Sequence, residues 1–405
     1  MSILKKNNGP MSKEPSIQSI SGDHWSSLKF TDGIMTDAIM KHVMGLCYLG
    51  MADAGEALEA LSRLNDKEPD SWGKTWAGIA GNLEKRAKKS EEGGKQVSAS
   101  TAYLRASTYY RVATMYLDDV YEPEMTEYTK ESFACYEKYL ALSGYPGEYI
   151  EIPYENSYLP GHFYRSPVAS EKAPLLILTP GRDTWAEDTR WMFDAALKRG
   201  IHCLTYDGPG QGYALRLQDM KFRPDWENVM GPVIDYAEKM DGVDTDRIAC
   251  MGFSFGGFLM PRAAAYDKRI KLIITDPGNI SWGKGIGERL SMILKMPKAI
   301  RPKFMQVMLE DYAWKHGVKE EQIVEELKKY DNTLILDKVE CEVLVLDGTA
   351  EMTYGAAKEL YDALTNVKAK DYILFDDDST AQCHTQMGGY ATGAEILMDW
   401  IEDHI

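Results

Sequence analysis

The chain has 405 residues, 44% of them hydrophobic, which suits one large domain or two with ordinary buried cores and argues against wholesale disorder. Its 62 acidic residues outnumber 46 basic ones, and the formal charge of −16 repels phosphate backbones and anionic bilayers, so nucleic acid and membrane surfaces are poor partners. Six scattered cysteines (Cys47, Cys135, Cys203, Cys250, Cys341, Cys383) contain no C-x-x-C pair, and clustered spacing is what a disulfide scaffold or zinc site requires.

Residues 1–28 form a polar segment without a signal-type apolar stretch, and no run approaches the roughly eighteen apolar residues of a membrane span. A reduced, cytoplasmic protein is expected. From 29 to 145 the rhythm is helical. Ile39, Val43 and Leu46 recur at helical spacing, as do Tyr103, Ala106, Tyr110, Ala113 and Leu117, with KSEEGGK as a connector. This predicts roughly four helices with mutually buried stripes, forming an N-terminal helical domain.

From 146 to 405 the rhythm changes. GEYIEIPYENSYLPGHFYRS predicts an antiparallel hairpin. Apolar runs at 174–180, 201–207, 247–253, 270–276, 342–348 and 371–377 then alternate with helical segments near 187–199, 226–240, 255–267, 355–366 and 389–402. Continuous apolar strands separated by helices predict a mostly parallel, doubly wound sheet covered on both faces. The interval of about 277–336 is too long for a structureless loop, and its helical character predicts an inserted cap.

The third of those runs leads into GFSFGG. A serine flanked by glycines where a strand turns into a helix fits a nucleophile elbow: glycines two before and two after remove clashing side chains, and the helix N-terminus points free N–H groups at the serine. This makes Ser254 the candidate nucleophile. Of the seven histidines, His384 in DDDSTAQCHTQMGG follows the last strand on the same rim. In EVLVLDGTAEMTYG, Glu351 stands in the usual register for the acid; Asp347, which suits a turn cap, and Asp276 after the preceding strand remain alternatives. The order Ser254, Glu351, His384 is that of α/β-hydrolases.

An oxyanion hole needs two backbone donors, for which Phe255 and Arg182 are the candidates, with Asp183 the alternative to Arg182. The Arg182 side chain is open to a structural ion pair or a substrate carboxylate. Asp183 and Trp282 are candidate substrate contacts. TYDGPGQG at 205–212 lacks the lysine and hydroxyl of a phosphate loop and predicts a tight structural turn near the site.

GFSFGG, DGPGQG, the LRASTYYR helix and the CHTQMGG loop together resemble an α/β-hydrolase subgroup with an N-terminal helical domain, which includes the 2,6-dihydroxypseudooxynicotine hydrolases and fungal polyketide-shortening hydrolases of pigment synthesis. The likeness runs from about residue 70 onward. It implies hydrolysis of a carbon–carbon bond next to a carbonyl in an aromatic or polyketide-like ketone, by Ser254, His384 and the acid at 351. Glutamate stands where aspartate is commoner. An esterase, amidase or acyl-transferring cyclase fits the same triad, and a non-catalytic binding protein is the remaining alternative. The proposed chemistry calls for no metal or organic cofactor. The expected partner is a small carbonyl substrate, with a homodimer through the helical domain as an option.

Overall fold

A computed structural model describes residues 24–65, 68 and 70–405; the first 23 residues of the polar segment lie outside it. Among the described residues, five α-helices precede the sheet: α1 (Ile34–Leu46), α2 (Ala54–Arg63), α3 (Ser71–Glu92), α4 (Gln96–Thr114) and α5 (Pro123–Ser143). The sequence rhythm suggests roughly four. The short α2 starts at Asp53, whose side chain accepts the Glu56 N–H and satisfies one of the free donors of its first turn. Proline at the first position of α5 and Gly144 beyond its end, at φ 68°, set that helix's limits. The expected stripe Tyr103, Ala106, Tyr110, Ala113 and Leu117 is buried.

The described residues form eight strands: β1 (Gly147–Tyr154), β2 (Ser157–Tyr164), β3 (Ala173–Thr179), β4 (His202–Tyr206), β5 (Val243–Phe253), β6 (Leu272–Asp276), β7 (Glu342–Gly348) and β8 (Lys370–Phe375). They form one sheet in the order β1-β2-β4-β3-β5-β6-β7-β8. The hairpin β1–β2 is antiparallel and joins β4 antiparallel; every other pairing is parallel. Alternation along β3 explains its continuous apolar run. Leu176 and Leu178 pack with α4, α5, α6 (Arg190–Leu197) and α14 (Tyr390–His404) on one face. Leu175 and Ile177 pack with α8 (Glu227–Ala237), α9 (Phe255–Tyr266) and the cap on the other. Both faces are therefore dry, and every second residue must be apolar twice over. The helices α7 (Gly212–Gln218) and α13 (Ala356–Ala363) complete the set flanking the sheet.

Between β6 and β7 the chain forms α10 (Glu288–Leu294), α11 (Lys303–His316) and α12 (Ile323–Leu327), joined by short turns. Leu290, Leu309 and Leu327 bury against the same core as α9. Among the described residues, no helix is long and apolar enough to cross a membrane, and all six cysteines are free thiols.

The helical region is fastened to the sheet by polar contacts. Arg111 of α4 is fully buried and donates from Nε to Asp188 at 3.1 Å, while its Nη1 donates to Ser107 at 2.8 Å. His42 of α1 meets Tyr390 of α14 at 2.6 Å, and the hydroxyls of Tyr136 and Tyr164 share a hydrogen bond at 2.8 Å. Replacing Arg111 by Met strands the Asp188 charge in the core. Urea denaturation of Arg111→Met should show a loss of about 3–5 kcal/mol. The double variant Arg111→Met/Asp188→Asn should lose less than the sum of the two single changes, because the stranded charge is gone.

Candidate active site

The site begins with a backbone constraint. Ser254 follows β5 with φ 54° and ψ −119°, a conformation unfavourable for a residue bearing a Cβ, and it caps α9. Its neighbours show why the chain turns so sharply. A Cβ on Gly252 would fall on the backbone of Gly256. One on Gly256 would lie 2.6 Å from the Pro180 carbonyl, and one on Gly257 2.6 Å from that of Pro277. Three glycines thus let β5 and the first turn of α9 close against each other and against the ends of β3 and β6. Ser254 remains partly exposed, while Phe255 beside it is fully buried.

His384 Nε2 lies 2.9 Å from Ser254 Oγ, and its Nδ1 lies 2.5 Å from Glu351 Oε2. The three side chains therefore form one hydrogen-bonded chain. Two backbone features bring them together. The Ala350 N–H donates to the Gln382 carbonyl at 3.1 Å, tying the loop after β7 to the histidine loop. Thr385 and Gln386 then take φ values of 48° and 54°, turning the chain sharply after His384. Glu351 Oε1 accepts the N–H of Thr353 at 3.4 Å. The longer glutamate side chain reaches the imidazole from this loop.

The other two carboxylates are engaged elsewhere. Asp347 accepts the N–H groups of Gly348 and Gly355 at 2.9 Å each, as a turn cap does. Asp276 accepts from Gln386 Nε2 at 3.1 Å, and burial pushes its carboxyl up to about 7. Burial also works against charge on Glu351 and His384. Their mutual attraction outweighs it, leaving the Glu351 carboxyl below and the His384 imidazole above their ordinary values.

The N–H groups of Phe255 and Arg182 donate to no acceptor among the described residues. The loop carrying Arg182 packs on the serine: a Cβ on Gly181 would lie 2.8 Å from Ser254 Cβ. The Arg182 side chain turns away to the cap, where it pairs with Asp311 and lies 3.7 Å over the Tyr312 ring. Asp183 meets Lys315 Nζ at 2.7 Å, and Lys315 also reaches Asp311 at 3.0 Å. Trp282 packs on Phe255 with ring centroids 4.6 Å apart. Asp183 and Trp282, expected as substrate contacts, thus both have protein partners. Asp311 and Lys315 carry one sequence cue, their i,i+4 spacing on a helix, which looks like an ordinary surface pair. Among the described residues, no group of three His, Cys, Asp or Glu side chains stands in a metal-holding arrangement.

A serine on an elbow between a parallel strand and a helix, facing a histidine after the last strand, defines the chain as an α/β-hydrolase. It belongs to the FrsA-like esterase family, described as "Esterase FrsA-like", which matches residues 66–334. That match includes Ser254 and ends before Glu351 and His384. The chain is 29% identical to the alpha/beta hydrolase psoB of Aspergillus fumigatus over 401 residues, covering 87% of this chain and 88% of that one. It is 34% identical over 241 residues to the 20-hydroxy-prefusarin hydrolase FUS2 of Gibberella moniliformis, covering 56% of each. Among solved structures it resembles 2,6-dihydroxy-pseudo-oxynicotine hydrolase with a TM-score of 0.72 and 19% identity, over 89% of this chain and 95% of that one, a likeness of fold.

The raised His384 value carries a sign. Below it the imidazole is protonated and cannot accept the Ser254 proton, so reaction with a small fluorophosphonate should fall as pH drops, with a midpoint above the free-histidine value of about 6.5. In Glu351→Gln the carboxylate that raises it is gone. The midpoint should move to lower pH and the rate at neutral pH fall by about 10²–10⁴-fold, read as adduct formation against time by intact-mass spectrometry.

Proposed function

We propose that this hydrolase acts through Ser254, His384 and Glu351 by way of an acyl-enzyme, and that it cleaves a carbon–carbon bond next to a carbonyl in an aromatic or polyketide-like ketone. The observation that carries the catalytic part is the continuous hydrogen-bonded chain from Glu351 through His384 to Ser254 Oγ. The ketone part is supported by the sequence resemblance and by kinship to a hydrolase named for 20-hydroxy-prefusarin.

In this reading His384 Nε2 takes the Ser254 proton as Oγ attacks the carbonyl carbon. The N–H groups of Phe255 and Arg182 receive the oxyanion. Glu351 fixes the imidazole tautomer and offsets its charge. Collapse of the tetrahedral adduct breaks the carbon–carbon bond, and its electron pair leaves on carbon as an enolate or electron-rich aryl carbanion. His384 returns the proton to that carbon. Water, deprotonated by His384, then attacks the acyl ester, releasing a carboxylic acid and restoring Ser254. We assign Asp183, held by Arg182 and Lys315, to docking the cap on the oxyanion loop.

A second reading, ester hydrolysis, is favoured by the esterase description of the family. It uses the same steps with an alkoxide as leaving group. The two separate in a panel of β-diketones, aryl ketones and aryl esters incubated in ¹⁸O-water, with products weighed by mass spectrometry. The proposal expects ketone cleavage to yield one carboxylic acid carrying a single ¹⁸O and a partner carrying none. Turnover of esters alone would replace it with the second reading, and an unlabelled cyclised product would point to acyl transfer.

A further inference from the structure

We infer that Gln211, in the turn between β4 and α7, is a positioning residue that aims the Arg182 N–H at the reacting oxygen. The inference rests on the proposed role of that N–H. Gln211 is fully buried. Its Nε2 donates to the Pro180 carbonyl at 2.6 Å and to the Gly181 carbonyl at 3.2 Å, and its Oε1 accepts the Gly208 N–H at 2.9 Å. Two carbonyls can only accept and an N–H can only donate, so the orientation of the amide is fixed by its neighbours.

The Gly181 carbonyl and the Arg182 N–H belong to one peptide unit, planar and trans, so they point in opposite directions. A donor gripping the oxygen on one side sets the direction of the hydrogen on the other. That hydrogen has no acceptor among the described residues, and the loop it sits on touches the nucleophile: a Cβ on Gly181 would stand 3.4 Å from Ser254 Oγ. On the preceding peptide unit, the Gly181 N–H donates to Thr184 Oγ1 at 3.1 Å, so the loop is held on both sides of Gly181.

The turn around Gln211 is built to deliver this amide. Gln211 occupies the N-cap position of α7, where a polar side chain ordinarily bonds to its own helix, yet it makes no such bond. Asp207 supports the first turn of α7 instead, accepting the Tyr213 N–H at 2.9 Å, and it also holds Ala186 N at 2.9 Å. A Cβ on Gly208 would lie 2.6 Å from the Trp226 ring, and one on Gly210, at φ 86°, would fall on the Phe222 ring. The glycines of DGPGQG therefore let the chain pass close beneath two aromatic rings and turn the glutamine inward. This gives the motif a task other than that of a phosphate loop, whose lysine and hydroxyl it lacks.

The test measures inactivation by a small fluorophosphonate, separating the saturating rate kinact from the binding constant KI, in the full-length wild type, Gln211→Met, Gln211→Glu and Ser254→Ala. Met keeps the length without polar atoms; Glu keeps the acceptor for Gly208 but sets an oxygen against two carbonyls. Both should lower kinact by roughly 10- to 1,000-fold, the scale of a lost oxyanion donor, with KI changed by no more than about two-fold. Wild-type kinact in folded Gln211 variants, with Ser254→Ala unlabelled, would overturn the inference alone. Labelling that persists in Ser254→Ala would sink the serine reading and this inference with it. If neither Gln211 variant folds, a crystal structure of the phosphonylated wild type decides. The phosphonyl oxygen should accept from both Phe255 and Arg182 N–H while Gln211 still holds the Gly181 carbonyl; an oxygen bound away from Arg182 contradicts the inference.

Discussion

The site depends on one steric fact, the close approach of backbone to backbone around Ser254. Gly252, Gly256 and Gly257 each stand where a side chain would collide with main chain. That crowding holds Ser254 at φ 54°, at a cost of about 1–3 kcal/mol of local strain. The strain persists because the strand before the serine and the helix after it are both buried in the core. The turn lifts the hydroxyl to the carboxyl rim of the sheet, where loops after β3, β7 and β8 converge. His384 and Glu351 then meet Ser254 from distant parts of the chain, with a second sharp turn at Thr385 and Gln386, at φ 48° and 54°.

Charge is placed with the same economy. Glu351 is buried, while Ser254 and His384 are partly open. A carboxylate shielded from water interacts more strongly with the imidazolium than an exposed one. The Arg182, Asp183, Asp311 and Lys315 cluster is different in kind. Its cations Arg182 and Lys315 are buried while its carboxylates Asp183 and Asp311 are partly open, an arrangement that adds little to net stability. It ties α11 to the loop after β3. The Arg182 side chain thus faces Asp311 and Tyr312 of α11, while in the proposed mechanism its backbone N–H faces the reaction.

Much of this was readable from the residues. Strands buried on both faces leave continuous apolar runs, so β3 to β7 stand out, and the bounds of β7 agree with its run residue for residue. The elbow could be found because glycine positions two before and two after the serine are dictated by local sterics. Distance past the strand end favours Glu351, and Glu351, not Asp347 or Asp276, hydrogen-bonds to His384 Nδ1. The less visible features depend on partners far apart in sequence. Arg182 and Asp311 are separated by 129 positions, and nothing local links them. DGPGQG reads as a structural turn, but nothing local shows its glutamine crossing to the Pro180–Gly181 loop. Helix number is less legible: the rhythm suggests roughly four, and the short α2, which begins after the capping Asp53, is one of five among the described residues.

The central claim is that Glu351, His384 and Ser254 form one proton-sharing chain. The most direct measurement is the low-field proton NMR spectrum of the wild type beside His384→Ala, Glu351→Gln and Ser254→Ala. The proton between His384 Nδ1 and Glu351 should give one resonance well downfield of the amide region, lost in His384→Ala and Glu351→Gln and retained in Ser254→Ala. A wild-type spectrum without that resonance in folded protein, or one in which it survives His384→Ala, would contradict the account.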